Sequence, residues 1–238
     1  MDLKEQEILG EGIGRHWYYR SKLAALRRWT AGLAAREVLD VGAGSGFFSR
    51  ALLEGSGIRG ATCVDPGYAA DTDTAASGKP LRFRREVAAS DADLVLMMDV
   101  LEHVDDDVGL LREYSGKVPA GTRFVVTVPA FQWLWSGHDV FLEHRRRYTL
   151  PQAERAVRAA GLTVERGAYF FGSVFPLAMA MRLPEMLRFG RHPPARSQMR
   201  QHGAVMNTLL STACRAELPA FPFNRMGGLS VFVQARTP

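Results

Sequence analysis

The chain has 238 residues, 47% hydrophobic and 23% charged, which suffices to bury a substantial core without disulfides or structural metals. That balance reads as an ordinary soluble globular protein, and Cys63 and Cys214 are too few and too far apart for a framework of bridges, as in a reducing compartment. The net charge of +5 is concentrated between Arg182 and His202, where Arg182, Arg188, Arg191, Arg196 and Arg200 meet one acid, Glu185; such a stretch can face phosphate, anionic lipid or an acidic substrate, or be a solvated helix face.

The opening MDLKEQEILGEG is polar and acidic, unlike a secretory leader. The longest nearly apolar run, 169–181, contains Gly172, Ser173 and Pro176 and falls short of the roughly 20 residues a bilayer requires. A cytoplasmic protein is expected, with any membrane contact peripheral and made through 172–202.

In chain order, residues 14–33 carry a helical pattern with Trp17, Leu23, Leu26 and Trp29 among basic residues. EVLDV (37–41) reads as a buried strand ending at a glycine cluster, and 47–53 is apolar at helical spacing. ATCVD (61–65) is a second strand, 81–83 a third, and DLVLMMD (93–99) a run of the kind covered on both faces. A helix at 106–116, the strand RFVVTV (123–128) and a helix at 149–161 follow. The last has Thr149 as cap, Pro151 in its first turn and Gly161 at its end. Strands at 162–171 and 229–235 bring the number to seven, with two helical runs between them, LAMAMRLPEMLRF and MNTLLSTACRAE. Alternating strands and helices predict an α/β, doubly wound, mostly parallel seven-stranded sheet of Rossmann-like type, with a helical insertion before the last strand.

The segment VLDVGAGSGFFSR (38–50) carries the most chemistry. Gly42, Gly44 and Gly46 follow a strand and open a helix; they allow positive φ and close approach of a ligand, and the following amides can hold an anionic group. A dinucleotide fingerprint needs G-x-G-x-x-G, and its third glycine is replaced by Phe47. What remains is D-x-G-x-G-x-G, beginning at Asp40. Asp65 ends the next strand about 20 residues on, where an acid can accept both hydroxyls of a ribose; the bland reading is a turn residue before Pro66.

With VLDVGAGSG, Asp65 in VDPG, and LMMDVLEHVDDD (96–107) in this order and at these distances, residues 37–128 resemble the core of a class I S-adenosylmethionine-dependent methyltransferase. The resemblance implies S-adenosylmethionine as cofactor, with S-adenosylhomocysteine as product. It also implies cofactor contacts from Asp40, Gly42, Ala43, Gly44, Gly46, Asp65 and Pro66, and from Met98, Asp99 and Val100 where the fourth strand ends. FRREVAASDAD is short and basic where an acid often contacts adenine. HWYYRSK (16–22) and HDVFLEHRRRYT (138–149) resemble the aromatic-rich leading helix and the HD…H.RRY segment of a bacterial subgroup, which implies that Tyr18, Tyr19, Arg20 or Lys22, with Tyr18 and Lys22 as first candidates, lies near the cofactor's carboxylate; the bland reading is that Trp17 and Tyr18 pack the helix onto the sheet. One methyltransferase domain over 1–238 is expected: a leading helix at 14–33, a core at 37–171 and 226–238, and an insertion or lid at 172–225.

Methyl transfer is an in-line displacement at a sulfonium carbon, so the protein must align nucleophile and methyl and, for a hydroxyl acceptor, remove a proton. His138 or His144 can act as base near neutral pH, oriented by Asp139 or Glu143. His103, Trp133, Arg147 and Tyr148 are candidates for the acceptor, Arg147 through a bidentate contact with an anionic group. The competing reading makes Asp139, His144 and the arginines a structural network holding the loop. Converging His103, His138, Asp139 and His144 would offer metal ligands, but no pair has a short ligand spacing on one helix, and no metal is expected. The aromatics FQWLW (131–135), Phe170, Phe171 and Phe175 suit a small, hydrophobic or lipid-like acceptor. Two other classes stay open: a binding protein without transferase activity and a nicotinamide-dependent oxidoreductase. A nucleic-acid partner is not expected, because no D/N-P-P-Y/F tetrapeptide occurs.

Overall fold

A computed structural model describes residues 10–55, 57–189, 193–197 and 203–238. Residues 1–9, and Arg191, Arg200 and His202 of the basic stretch, lie outside the described residues.

Eight strands form one sheet: β1 (Glu37–Val41), β2 (Gly60–Val64), β3 (Thr72–Ala76), β4 (Lys79–Arg84), β5 (Leu94–Met98), β6 (Arg123–Pro129), β7 (Thr163–Phe170) and β8 (Ser230–Arg236), in the order β3-β4-β2-β1-β5-β6-β8-β7. Strands β4, β2, β1, β5 and β6 pair in parallel, whereas β8 runs antiparallel between β6 and β7. The expected seven strands are present, and the correction is β3. Strand β3 forms a hairpin with β4 through Ser77 and Gly78, both at positive φ (52° and 73°), as a tight primed turn requires. Its TDTAA is exposed along nearly its whole length, so it lacks the apolar pattern that marks a strand in sequence.

The central strands are buried on both faces, and their side chains alternate between two cores. On one side, Val38, Leu94, Leu96, Met98, Val125 and Phe232 pack with helices α1 (Trp17–Thr30) and α2 (Phe47–Leu53). On the other, Leu39, Val41, Val95, Met97, Phe124 and Val126 pack with α3 (Asp107–Ser115) and α5 (Leu150–Ala159). Helix α1 turns Tyr19, Lys22, Leu26 and Trp29 inward at spacings of three and four. Helix α5 starts as expected: Thr149 and Gln152 form a capping box and Pro151 occupies the first turn. A short helix, α4 (Gly137–Phe141), precedes it in the loop after β6.

Between β7 and β8 the chain is helical, with α6 (Phe175–Phe189) and α7 (Ala204–Glu217). Asn207 of α7 caps the start of α1, accepting from the Trp17 amide at 2.7 Å and donating to the Arg15 carbonyl at 2.9 Å. Glu217, at the other end of α7, accepts from the amides of Phe171 at 2.6 Å and Ser173 at 2.5 Å, and so fixes the turn that leaves β7.

Candidate active site at the carboxyl edge of the sheet

Backbone strain marks one edge. Among the described residues, Asp99, Phe131, Glu143 and Phe171 take positive φ of 57° to 64°, which costs a non-glycine residue free energy and persists where the surroundings enforce it. Asp99 and Phe171 directly follow β5 and β7, Phe131 stands two residues past β6, and Glu143 precedes His144. Strands β5, β6 and β7 run in the same direction, so the first three of these residues lie at the carboxyl edge, where open α/β sheets bind ligands.

The glycine loop belongs to that edge. Gly42, Gly44 and Gly46 have φ of 65°, 53° and 70°. A Cβ on Gly42 would stand 2.7 Å from a Val100 methyl, and one on Gly46 would stand 3.1 Å from both Cys63 and Phe83, so neither position accepts a side chain. Ala43 is buried in the same turn. The Asp65 carboxylate accepts from the Gly44 amide at 3.1 Å and the Gly67 amide at 2.9 Å, and Tyr68 donates its hydroxyl to the Gly44 carbonyl at 2.6 Å. Pro66 is exposed beside it. Asp40 lies beneath the loop, almost wholly buried, and accepts from the Ser49 hydroxyl at 2.7 Å; burial pushes its carboxyl up to about 6.

Across from the loop, Lys22 is fully buried and forms an ion pair with Asp99, while Tyr18 accepts from Lys22 at 3.1 Å and donates to Asp99 at 3.3 Å. Burial opposes the ammonium charge of Lys22, but Asp99 and Tyr18 outweigh it and raise its pKa above the ordinary lysine value. Burial likewise opposes the Asp99 charge, and Lys22 overrides it to hold the carboxyl below its usual range. Thr127 donates to Asp99 at 2.9 Å, Met98 is buried at the end of β5, and Tyr18 stacks on Phe171 with centroids 5.1 Å apart.

The loop after β6 is organised around Asp139. Its carboxylate accepts from Arg147 Nε at 2.6 Å and from Arg147 Nη2 at 2.9 Å, and completes a capping box with Ser136. Burial works against that charge, and Arg147 and His144 hold the carboxyl well below the usual range. With Asp139 ionised, His144 donates from Nδ1 at 2.9 Å, so Nε2 is the ring nitrogen that does not face Asp139. His144 lies against His103 with ring centroids 4.7 Å apart and planes at 81°, and one ligand atom each of Glu102, His103 and His144 lies within 4.8 Å of the others, a group without His138. His138 is half-buried in the first turn of α4.

Two acceptor candidates have their polar groups committed inside the fold. Arg147 is buried on Asp139 and donates to the Ala130 carbonyl at 3.1 Å; Tyr148 is buried and donates to Asp107 at 2.7 Å. Both border a cavity of ≈ 360 Å³ that Asp107, Arg146 and Arg155 also line, away from the glycine loop. Trp133, by contrast, is 49% exposed and stacks on Phe131 at 5.5 Å, with Phe175 at 5.9 Å. Glu102 is the residue that sequence reasoning misses. It is fully buried in the turn 101–103, neither carboxyl oxygen has a hydrogen-bond partner among the described residues, and burial, then the Asp99 charge, raises its pKa well above the usual value. Its one signal in the sequence is an acid beside a histidine in LEHV, directly after an apolar strand.

These residues suit S-adenosylmethionine. The bare loop admits a ligand against backbone, and Asp65 retains acceptor capacity for ribose hydroxyls. Asp99, whose side chain is 25% exposed, can accept from the ammonium of the cofactor's amino-acid end, with Lys22 buried behind it holding its charge.

A family profile described as "Methyltransferase domain" matches residues 15–166. The chain is 34% identical over 111 residues to a ubiquinone biosynthesis O-methyltransferase of Pseudomonas savastanoi pv. phaseolicola, a match covering 41% of this chain and 46% of that protein. The match thus spans about half the length of that curated relative. In fold it is similar to a phosphoethanolamine N-methyltransferase 2 of Haemonchus contortus (TM-score 0.54, 16% identity, 99% of this chain and 57% of that chain). It is also similar to a chain in the complex containing the Haloferax volcanii Trm112 methyltransferase activator (TM-score 0.53, 18% identity, 96% and 93% covered). With the profile spanning most of the chain, the protein belongs to the methyltransferase-domain family, the class I enzymes that use S-adenosylmethionine.

Proposed function

We propose that the chain methylates a hydroxyl of a small, hydrophobic acceptor. The observation that carries this reading is the Asp65 carboxylate 3.1 Å from the Gly44 amide, on a loop stripped of side chains, with the Lys22–Asp99 pair at the same edge. S-adenosylmethionine, when bound, supplies a methyl group on a sulfonium. The chain's own residues do the rest. Asp40, Gly42, Ala43, Gly44, Gly46, Asp65 and Pro66 form the cofactor side, and Tyr18, Lys22, Met98, Asp99 and Val100 close it. Removal of the acceptor proton falls to the polar group around His144, whose ring Asp139 orients, with His138 on the same loop as second candidate. Trp133, Phe131, Phe175 and His103 are placed to meet an apolar acceptor; Arg147 and Tyr148 shape the loop behind them. Oxygen as the methylated atom is supported by the name of the Pseudomonas relative, an O-methyltransferase.

Calorimetric titration with S-adenosylhomocysteine tests the cofactor side. Gly44→Val should abolish binding, and Asp65→Ala should weaken it by about 1–3 kcal/mol, the loss of hydrogen bonds to a charged acceptor. Wild-type affinity in both variants would refute the assignment. Radiolabelled methyl transfer to a panel of phenols and aliphatic alcohols then tests the acceptor class.

A further inference from the structure

We propose that Glu102, His103 and His144 form a binding site for a divalent first-row transition-metal ion beside the cofactor pocket. Their three ligand atoms lie within 4.8 Å of one another. Tetrahedral bonds of about 2.1 Å place ligand atoms about 3.4 Å apart, a difference that side-chain torsions close. Glu102 sits in the turn directly after Asp99 and Val100, so the site adjoins the edge where the cofactor residues converge.

Two independent observations point to a cation. First, Glu102 is wholly buried with both carboxyl oxygens unpartnered among the described residues. An unsatisfied buried acid costs free energy, and a cation between it and two imidazoles removes that cost. Second, His144 is held by a carboxylate that is itself clamped by Arg147. A carboxylate on the far nitrogen of an imidazole fixes its tautomer and aims the other nitrogen, the arrangement that accompanies metal-bound histidines. Two imidazoles and one carboxylate suit zinc, cobalt, iron or manganese better than magnesium or calcium, which prefer all-oxygen shells.

Three protein ligands leave a position open. With a cation there, His144 would serve as ligand and not as base, and an acceptor hydroxyl in the open position would lose its proton to solvent more readily, because the cation would lower its pKa. The oxygen lone pair then forms the new bond to the methyl carbon, and the pair of the breaking carbon–sulfur bond returns to sulfur. This role rests on the methyl-transfer reading; cation binding itself does not.

The test uses full-length protein stripped with a chelator, titrated with Co²⁺ followed by visible absorption and with Zn²⁺ followed by calorimetry. One equivalent should bind, with the d–d bands of a low-coordinate cobalt site, and the melting temperature should rise with Zn²⁺ concentration. Glu102→Gln keeps the volume and breaks no hydrogen bond of the carboxyl, so it should fold and lose the site; His144→Ala should lose it too. Asp139→Asn should weaken binding about 10–100-fold. No saturable binding to wild type, saturation by Mg²⁺ alone, or wild-type affinity in Glu102→Gln would overturn the proposal. S-adenosylhomocysteine titrated into the same stripped protein separates the two readings. If it binds and the cation does not, the metal site falls and the cofactor assignment stands. If the cation binds and S-adenosylhomocysteine does not, the metal site stands and the cofactor assignment falls.

Discussion

Asp40 shows how a single buried acid makes this fold sensitive to pH. The unfolded chain gives the carboxyl a pKa of about 3.9; in the folded protein burial raises it to about 6, although Ser49 donates to it. Between those values the folded state holds a proton that the unfolded state has released. Stability therefore falls as pH rises through 6. The loss amounts to about 3 kcal/mol, two units at 1.36 kcal/mol each, and is complete above pH 6. Asp40→Asn cannot titrate, so its stability relative to wild type should increase by about 2 kcal/mol between pH 4 and pH 7, the unfolded carboxyl being already half ionised at pH 4. Urea denaturation at the two pH values measures it, and a pH-independent difference would refute the burial argument. Asp99 behaves oppositely, since Lys22 keeps it ionised, and the two acids illustrate why residue type alone does not set charge state.

At the scale of elements, the loop from β6 to α5 is built around one buried ion pair. Asp139 and Arg147 are both buried, with two hydrogen bonds between them, and His144 and the Ser136 cap share the same carboxylate. Removing one partner strands the other charge out of water, so Asp139→Ala should destabilise the protein by about 3–5 kcal/mol. Chemical denaturation checks this, and a loss under about 1 kcal/mol would mean that Arg147 finds solvent. A structural network among these residues is legible in the sequence, yet the same residue types fit an acceptor site equally well; in the structure Arg147 is bound to Asp139, while Tyr148 donates to Asp107 outside that network. Composition shows which groups a loop carries and not which way they point. Elements with a strong local signature are legible: the strand–glycine–helix turn at 38–50, and α5 with Thr149, Pro151 and Gln152 at its start. Strand β3 is not, because its residues face water on both sides, and α4 is too short to show a helical period. Glu102 is hidden for another reason: a buried, unpartnered acid looks in sequence like any helix-start glutamate.

At the scale of the whole molecule, the carboxyl edge of the sheet adjoins an exposed apolar surface on α6 and α7 that also carries Arg188. Helix α6 begins at the site, where Phe175 lies 5.6 Å from Phe131 and 5.9 Å from Trp133, and beyond it Leu177, Met181 and Leu187 are exposed. Val205, Met206 and Leu209 add exposed apolar groups on α7. Among the described residues no helix is long and apolar enough to cross a membrane. Contact with a bilayer would therefore be interfacial, combining apolar insertion with attraction of the excess positive charge to anionic lipid. Each contribution alone is weak, so both are required. Sedimentation with vesicles containing phosphatidylglycerol should show binding at low salt that falls steeply toward 1 M, where the screening length shrinks to about 3 Å. Neutral vesicles should bind less, and Met181→Asp with Leu187→Asp should release the protein from both while leaving S-adenosylhomocysteine affinity unchanged. An acceptor dissolved in lipid would then reach Trp133 along α6 without crossing water. Absence of binding to anionic vesicles at low salt would remove this route and leave the exposed methionines and leucines without a lipid to explain them.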